Sequence, residues 1–286
     1  MIADVRYPLE SLHTSSTERW SQWRLSSIIE LSARDTCHFV TSMIPGPGRK
    51  ILEVGCGNGY LSLELARAGH DVTSVDLSPE IIEVAERTKA AHPLTAGGGT
   101  LTYQCADIRT WQATENRFDA VVINRALHHL PDLPSTLTII KRLLGREGLL
   151  ICQDYAYDRL DEPTAAWMYT MQRLLFLSGI SADDPATVPD DEVRSLEEIR
   201  VAWLQRGTDH RLNGFDEMMQ ALRSTFHEQH FSWVPYLFVY IGNSLCHATA
   251  EQERACITFL KHMEQYLIEK ESIQAVGFRY VGSVST

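Results

Sequence analysis

The sequence predicts an α/β protein built around a mostly parallel β-sheet, and three observations support this prediction. Short apolar segments alternate with segments of helical character between residues 50 and 154. A glycine-rich loop follows the first apolar segment, and a carboxylate, Asp76, ends the second. Strands that alternate with helices form parallel sheets, because a right-handed helical crossover returns the chain to the same edge of the sheet.

The elements of this alternation follow from local signals. We expect strands at residues 50–54, 71–75, 101–105, 118–123 and 148–153. The first strand is short and apolar throughout, as in strands that are covered on both faces. Helices are expected at residues 58–68, at 134–144 and directly after Ser78, which can cap a helix N-terminus with Pro79 at the first helical position.

The flanking segments have a different character. Before the sheet, we expect one helix starting near Glu18 and a second at 33–43, which ends before a Pro-Gly-Pro-Gly breaker. After the fifth strand, helices are expected at 163–178, 190–204, 215–224 and 250–270, and strands at 230–241 and 275–281. The chain is therefore divided into an N-terminal helical cap (1–48), a cofactor-binding core (49–155), a helical lid insertion (156–229) and the final strands with an intervening helix (230–286).

Composition excludes several classes of function. The 286 residues carry a formal net charge of −11 and contain no run of Lys or Arg, which argues against a nucleic-acid partner. The six cysteines form no Cys-x-x-Cys pair, so neither a zinc site nor a disulfide framework is expected. No secretory signal is visible, and the longest apolar stretch, 234–242, is too short to cross a bilayer. We therefore expect a cytoplasmic protein without a membrane partner.

The glycine-rich loop carries the strongest functional signal. Residues 51–59 read Ile-Leu-Glu-Val-Gly-Cys-Gly-Asn-Gly, with glycines at Gly55, Gly57 and Gly59. Glycines let the backbone turn tightly and approach a ligand where a Cβ would clash. Asp76, at the end of the next strand, is placed to accept hydrogen bonds from both hydroxyls of a ribose. The dinucleotide fingerprint needs glycine at position 60, where this chain has Tyr60, so a nicotinamide oxidoreductase is disfavoured.

Together with Glu53, this loop resembles the first motif of the class I S-adenosylmethionine-dependent methyltransferases. The resemblance covers roughly residues 50–154 and the final strands, and it implies a Rossmann-like, seven-stranded, mostly parallel sheet with helices on both faces. It further implies that the glycine loop, which includes Cys56, approaches the methionine part of S-adenosylmethionine. Glu53 would hold the loop or the cofactor's amino group, Asp76 would bind the ribose, and Leu77 would pack on the adenine.

Two further segments extend the resemblance. Asp107 and Ile108 match the segment after the third strand, where a carboxylate takes the adenine amino group and the next backbone N–H meets a ring nitrogen. Asp107 could instead be a turn residue or a helix N-cap. Asn124, followed by Arg125, comes directly after the fourth strand and should meet the methionine ammonium group. Metal-dependent relatives carry an acidic residue at the position of Asn124, so no divalent metal is expected.

The segment after Arg125 supplies candidates for acid–base chemistry. His128 and His129 precede Leu-Pro-Asp, and imidazole titrates near neutral pH. Small-molecule methyltransferases often carry a similar Leu-His-x-Pro-Asp segment here, which makes His129 the first candidate for a general base and His128 the second. Tyr155, just beyond the fifth strand, could also reach the acceptor. Any of these side chains could instead serve only as a cap or in packing.

The sequence thus predicts methyl transfer from S-adenosylmethionine to oxygen, nitrogen or carbon of a small, largely apolar, secondary metabolite. Aromatic residues and methionines in the 156–229 insertion would line a water-poor cap over such a substrate. Two alternatives stay open: a rearrangement or cyclisation on the same fold, and a non-catalytic binding subunit. The stripe formed by Trp20 and Trp23 could also support a homodimer through the N-terminal helices.

Overall fold

The computed structural model describes residues 25–94, 98–112, 117–181 and 196–284. These residues form a seven-stranded sheet with the order β3-β2-β1-β4-β5-β7-β6. The first five strands run parallel, whereas β7 is antiparallel to both of its neighbours. The strands are β1 (Lys50–Val54), β2 (Asp71–Asp76), β3 (Leu101–Cys105), β4 (Phe118–Asn124), β5 (Leu144–Tyr155), β6 (His227–Val234) and β7 (Gly277–Ser283). The mostly parallel, Rossmann-like sheet predicted from the sequence is confirmed.

Helices cover both faces of this sheet and extend beyond its carboxyl edge. They are α1 (Ser26–Ile28), α2 (Arg34–Met43), α3 (Tyr60–Arg67), α4 (Pro79–Ala91), α5 (Leu133–Leu143), α6 (Glu162–Leu177), α7 (Leu196–Asp209), α8 (Phe215–Thr225), α9 (Leu237–Gly242) and α10 (Ala250–Glu269). The hydroxyl of Ser78 accepts a hydrogen bond from the Ile81 N–H, and Pro79 occupies the first turn of α4, as predicted. Within the described ranges, no helix has both the length and the apolarity needed to cross a bilayer.

The buried apolar residues form three clusters. Two of them fill the two faces of the sheet, one with α5 and α8 and the other with α2 and α3. The third joins α1 to the insertion and to α9 and α10, through residues such as Ile28, Met168 and Leu260. Val276, directly before β7, belongs to this third cluster. Tyr155, at the carboxyl end of β5, packs against it. A helical layer made of α1, α6, α7, α9 and α10 therefore packs beside the end of β5 and the start of β7.

One predicted strand is wrong over half of its length. The apolar run predicted as a strand at 230–241 ends as a strand at Val234, and Leu237–Gly242 is a helix. An apolar run of this length fits a buried helix as well as a strand, so tertiary contacts decide between them. Here the buried Glu264 carboxylate accepts hydrogen bonds from the N–H groups of Tyr236, Leu237 and Phe238 at 2.7–2.9 Å. This distant carboxylate satisfies the N-terminus of α9.

The N-terminal region also differs from the prediction. A π turn, Ile29–Ala33, joins α1 to α2, so residues 26–43 form one continuous helix and not two. The predicted helix start near Glu18 and the stripe of Trp20 and Trp23 lie outside the described residues. Further along, β5 begins at Leu144, four residues earlier than expected, because it pairs with β4 across an irregularity in register.

Candidate active site

A cavity of about 470 Å³ opens at the carboxyl ends of β1, β2 and β4. Parallel sheets hold their ligands at this edge. Its lining includes eight of the residues predicted to form the site: Gly55, Gly57, Asp76, Leu77, Asp107, Ile108, Arg125 and His129. The structure therefore brings together residues from four separate loops around one cavity.

The three glycines of the loop serve different purposes. All three have left-handed backbone conformations, with φ of +74° at Gly55, +54° at Gly57 and +78° at Gly59. A Cβ at Gly55 would lie 2.5 Å from the Ala126 Cβ, and a Cβ at Gly59 would overlap the Tyr103 hydroxyl. A Cβ at Gly57 would meet no atom within 4 Å, although Gly57 lines the cavity. Gly55 and Gly59 therefore permit packing, whereas Gly57 leaves space for a ligand.

Asp76 fixes the glycine loop against the end of β2. Its carboxylate accepts hydrogen bonds from the Gly57 N–H and the Ser78 N–H, each at 3.1 Å. The neighbouring Leu77 is 63% exposed at the cavity wall. An exposed leucine beside a carboxylate offers an apolar surface to a flat ring and acceptors to a ribose, which fits the roles expected for both residues.

Glu53 lies behind the loop and not in the cavity. The Ser62 hydroxyl donates a hydrogen bond to its carboxylate, and the Ser74 hydroxyl donates to Ser62 at 2.7 Å. Complete burial raises the pKa of Glu53 to about 8, because ionisation in an apolar environment is unfavourable. These contacts with α3 and β2 suit the expectation that Glu53 holds the loop.

Asp107 has the turn role that the sequence left open, and its adenine role stays a prediction. Its carboxylate accepts from the Arg109 backbone N–H at 2.9 Å and pairs with the Arg109 guanidinium at 2.5 Å. The hydrogen bonds from Arg109 lower the pKa of Asp107. The residue therefore stabilises a turn while its carboxylate still lines the cavity. Ile108 is buried in the core and also lines the cavity.

The end of β4 offers a place for an ammonium group. The Asn124 side-chain N–H₂ donates to the Tyr60 hydroxyl at 3.0 Å, whereas its carbonyl oxygen is buried without a hydrogen-bond partner among the described residues. A buried acceptor of this kind is costly unless a ligand satisfies it. The ammonium group of a methionine moiety would do so, and the open space at Gly57 would admit the moiety. The residues present thus fit S-adenosylmethionine.

The three predicted catalytic residues form a connected aromatic group. His129 lines the cavity, and its ring centroid lies 4.2 Å from that of His128. Partial burial and the neighbouring His128 lower the pKa of His129. His128 is buried, with Nδ1 2.5 Å from a carboxylate oxygen of Asp154. Tyr155 contacts the His128 ring edge-on at 4.5 Å and lies behind both histidines.

Two residues that hold this group were not identified from the sequence. Asp154 is 1% exposed and also accepts from the His128 backbone N–H at 3.2 Å. The sequence did carry a signal for Asp154, because this carboxylate is the penultimate residue of β5, much as Asp76 is the last residue of β2. Asn213, between α7 and α8, donates to the carbonyls of His128 at 2.8 Å and Leu130 at 2.7 Å. No local pattern in the sequence indicates these contacts, which join segments 83 residues apart.

Comparison with known proteins agrees with this geometry. Residues 52–152 match the family described as a methyltransferase domain. The chain is 33% identical over 129 residues to the ubiquinone biosynthesis O-methyltransferase of Cereibacter sphaeroides, which covers 45% of this chain and 50% of that protein. The protein of the same name from Coxiella burnetii is 30% identical over 133 residues, or 46% of this chain and 53% of its own. The chain therefore spans about half the length of the curated relatives that it matches.

Solved structures show the same fold over most of the chain. Geranyl diphosphate C-methyltransferase from Streptomyces coelicolor A3(2) superposes with a TM-score of 0.56 at 12% identity, covering 96% of this chain and 88% of that one. The [4+2]-cyclase SpnF gives a TM-score of 0.56 at 15% identity, covering 89% and 82%. Sheet order, glycine loop and matched domain define a methyltransferase fold with a nucleoside cofactor site. Residues 52–152 are thus similar to methyltransferase domains, and the chain has the fold of the class I S-adenosylmethionine-dependent methyltransferases.

Proposed function

We propose that this protein transfers a methyl group from S-adenosylmethionine to a hydroxyl oxygen of a small, largely apolar molecule. One observation carries the proposal: His129 lies at the wall of the cofactor cavity, supported by the buried pair of His128 and Asp154. Oxygen is favoured as the acceptor atom because the matched relatives are named O-methyltransferases. Those relatives share the cofactor domain with this chain, so the substrate itself is part of the proposal.

In this proposal, residues around the cavity hold the cofactor by its separate parts. Asp76 binds the ribose hydroxyls, Leu77 packs on the adenine, and the Asp107 carboxylate accepts from the adenine amino group. The loop at Gly57 and the Asn124 carbonyl oxygen receive the methionine portion. When bound, S-adenosylmethionine supplies a methyl group on positively charged sulfur. Alignment of the acceptor with that methyl group and exclusion of water are then the main tasks of the protein.

His129 would act as the general base. Its lowered pKa keeps the imidazole neutral near pH 7, so that it can accept the proton of the acceptor hydroxyl. His128 would not contact the acceptor but would fix the orientation of the neighbouring ring, because Asp154 holds its Nδ1. The proton leaves His129 for solvent after the methyl group has been transferred. Tyr155 packs behind this pair and would support it, and it is not expected to be the base.

The acceptor class follows from the helical layer. This layer contributes apolar and aromatic residues, among them Tyr236, Met168 and Trp203, to the cluster against which Tyr155 packs, and Tyr155 contacts His128. Such a lining suits a small apolar molecule, and a role in secondary metabolism in the cytoplasm is consistent with it. All six cysteines are free thiols, as expected in a reducing compartment.

Mass spectrometry of candidate phenolic metabolites, incubated with the enzyme and S-adenosylmethionine, tests this function. A gain of one methyl group on oxygen supports it. A product of unchanged mass would instead favour a rearrangement or cyclisation, and binding without any product would favour a non-catalytic subunit.

The proposed base is tested by His129→Gln. Loss of a positioned base should lower kcat by about 10²–10⁴-fold. The affinity for S-adenosylhomocysteine, measured by calorimetry, should change less than about three-fold, because the histidine faces the acceptor. His227→Gln, at the exposed start of β6, is the matched control and should retain wild-type turnover. Wild-type kcat in His129→Gln would show that His129 is not the base.

A further inference from the structure

The turn that carries the two histidines is held from the side of the helical insertion. The carbonyls of Leu127, His128 and Leu130 all accept hydrogen bonds from one residue, Asn213, in the turn between α7 and α8. Its side-chain N–H₂ donates to Leu127 at 3.2 Å and to Leu130 at 2.7 Å, and its backbone N–H donates to His128 at 2.8 Å. Asn213 therefore satisfies this turn in the way that a capping residue satisfies a helix end.

The imidazole of His129 depends on this turn for its position. Within the part of the chain that the structure describes, no group forms a hydrogen bond with this ring, and the bond made by residue 129 is that of its backbone N–H to the Ala126 carbonyl. The ring packs against that of His128, which Asp154 holds. The proposed base is thus placed by its backbone and by packing, so the contacts that fix residues 127–130 also fix the base.

The turn that contains Asn213 is itself anchored to the end of the sheet. The Phe215 N–H donates to the Asp158 carboxylate at 2.9 Å, directly after β5. A Cβ at Gly207 would lie 2.0 Å from the Tyr157 ring, so α7 is packed closely against the same segment. Asn213 is therefore held between this anchor and the histidine turn, and it transmits the position of one to the other.

The same turn also affects the protonation of His129. Burial is the main cause that lowers the pKa of His129, and the charges of His128 and of His210, three residues before Asn213, lower it further. Asp154 acts in the opposite direction. A change in the position of this turn should therefore alter both the place and the pKa of the proposed base.

We infer that Asn213 is a positioning residue for the proposed base, because it fixes residues 127–130 and so holds the His129 imidazole at the wall of the cofactor cavity. This inference rests on the proposed function. Asn213 does not itself line the cavity, so its effect on the reaction passes through His129. The insertion then takes part in catalysis by placing the base, in addition to covering the acceptor.

Turnover measurements on Asn213 variants test this role. Asn213→Ala removes the two side-chain hydrogen bonds and keeps that of the backbone. It should lower kcat by about 10–100-fold, the cost of a base displaced by roughly 1 Å. The affinity for S-adenosylhomocysteine should stay within about three-fold of the wild type. Asn213→Gln keeps the amide donors on a longer side chain and should recover part of the lost kcat.

A double variant separates positioning from a general loss of structure. If Asn213 acts through His129, then Asn213→Ala should lower kcat by less than about three-fold in the His129→Gln background. Lys141→Met is the matched control, because the Lys141 ammonium also ties two distant segments by donating to the Thr225 carbonyl at 2.6 Å. This control should lose stability in urea unfolding but keep the wild-type kcat.

An NMR titration of the His129 ring tests the same role without turnover. In the ligand-free protein, labelled at histidine and assigned with His129→Gln, the wild-type ring should titrate below the ordinary imidazole pKa. Asn213→Ala should raise its midpoint toward about 6.5, because the ring moves toward solvent and away from His210. Lys141→Met should leave the midpoint unchanged. If Asn213→Ala does not fold, Asn213→Gln should show smaller changes in the same direction.

The inference is overturned if kcat and the His129 titration are both unchanged in the Asn213 variants. It is also overturned if Asn213→Ala costs as much in the His129→Gln background as in the wild type, since Asn213 would then act by another route. The proposed function fails separately. Wild-type kcat in His129→Gln, with a titration that still responds to Asn213→Ala, would remove the base and leave Asn213 as the residue that positions this ring.

Discussion

Two regions of this protein are assembled in different ways: the cofactor end, around the glycine loop and Asp76, and the proposed acceptor end, where α2 and the helical layer meet β5 and β7. At the cofactor end, the contact that fixes the glycine loop joins Gly57 to Asp76, which are 19 residues apart. At the acceptor end, the side-chain N–H₂ of Gln153 donates to the hydroxyl of Thr36 on α2, 117 residues away, and the guanidinium of Arg279 donates to the Asp35 carboxylate across 244 residues. The first site is contained in one strand–loop–helix–strand unit, whereas the second exists only when distant parts of the chain have packed.

This difference separates two kinds of specificity. A strand–loop–helix–strand unit brings together residues that are close in the chain, so its formation costs little loop-closure entropy. Every protein that contains such a unit presents the same backbone groups to the ligand. A site between the sheet edge and a helical layer depends on side chains from several elements, so its chemistry can change while the local unit stays the same. The cofactor end therefore identifies the family, and the acceptor end should determine the substrate.

The largest effect should come from a substitution that enters the cofactor space. Gly57→Val strains the backbone at φ +54° but places its Cβ where the structure has no atom within 4 Å, so the fold should persist at reduced stability while the cofactor is excluded. We expect S-adenosylhomocysteine affinity to fall by more than about 1,000-fold in calorimetry, which corresponds to more than about 4 kcal/mol. Gly59→Ala is the contrasting variant, because its Cβ would overlap Tyr103 and lower the stability itself. Normal cofactor binding by Gly57→Val would refute the assignment of the loop.

Buried glutamates distinguish the two ends by their response to pH. Glu53 has its pKa raised from 4.5 to about 8, so the native state binds more protons than the unfolded chain between these values. Its contribution to stability is thus largest at acid pH and is lost as the pH rises toward 8. In urea unfolding, the free energy of unfolding of Glu53→Gln relative to that of the wild type should rise by roughly 3–5 kcal/mol as the pH increases from about 5 to about 8. A difference that does not vary with pH would contradict the raised pKa.

Glu264 in the helical layer should behave differently. Burial raises its pKa to about 7, yet its carboxylate accepts three backbone hydrogen bonds at the start of α9. The single carbonyl oxygen of glutamine cannot replace both carboxylate oxygens. Glu264→Gln should therefore lower the free energy of unfolding throughout this pH range, which makes it the counterpart to Glu53→Gln.

Asp76→Ala should have an intermediate effect that is confined to the cofactor end. Loss of the hydrogen bonds to the ribose hydroxyls, and of those that fix the glycine loop, should weaken S-adenosylmethionine binding by about 2–4 kcal/mol. Asp71→Ala, at the exposed beginning of the same strand, removes a carboxylate that contacts Thr100 and should leave the affinity unchanged. Equal affinities of Asp76→Ala and wild type in calorimetry would show that Asp76 does not bind the ribose.

The smallest effect is expected at the acceptor end. Arg279→Met removes hydrogen bonds to Gln153 at 2.8 Å and Asp35 at 2.7 Å, and should lower the free energy of unfolding by about 1–2 kcal/mol, since Asp35 is partly exposed. Cofactor affinity should stay within about two-fold of the wild type, because none of Arg279, Gln153 and Asp35 lines the cofactor cavity. Arg254→Met, which breaks an exposed pair with Glu30, should cost less than about 0.5 kcal/mol. A large loss of cofactor affinity in Arg279→Met would show that the two ends are coupled.

Sequence reasoning was most accurate where a residue's role depends on its neighbours in the chain. Three features could be predicted because each depends on a few consecutive residues: the alternation of apolar segments, the Ser78 cap and the glycine spacing. The strand predicted after Val234 was wrong, because the apolar run there fits a strand and a helix equally well. The Glu264 carboxylate, 26–28 residues further along the chain, stabilises the helix. The contact of Asp154 with His128 was not predicted, although Asp154 lies next to the end of β5. No local sequence pattern indicated that Asn213 would bind the histidine segment.

The sequence by itself determined the parallel α/β sheet, the glycine loop and the acidic end of β2, because the period of side chains, the conformational freedom of glycine and the chain distance between them are local properties. Tertiary structure alone decided that His128 is buried on Asp154 while His129 faces the cavity. It also decided that the N-terminus of α9 is satisfied by Glu264, so that an apolar run forms a helix. Each of these outcomes depends on which side chain a distant segment of the chain brings within hydrogen-bonding distance. Such contacts form only when the chain folds, so the residues next to each position in the sequence do not predict them.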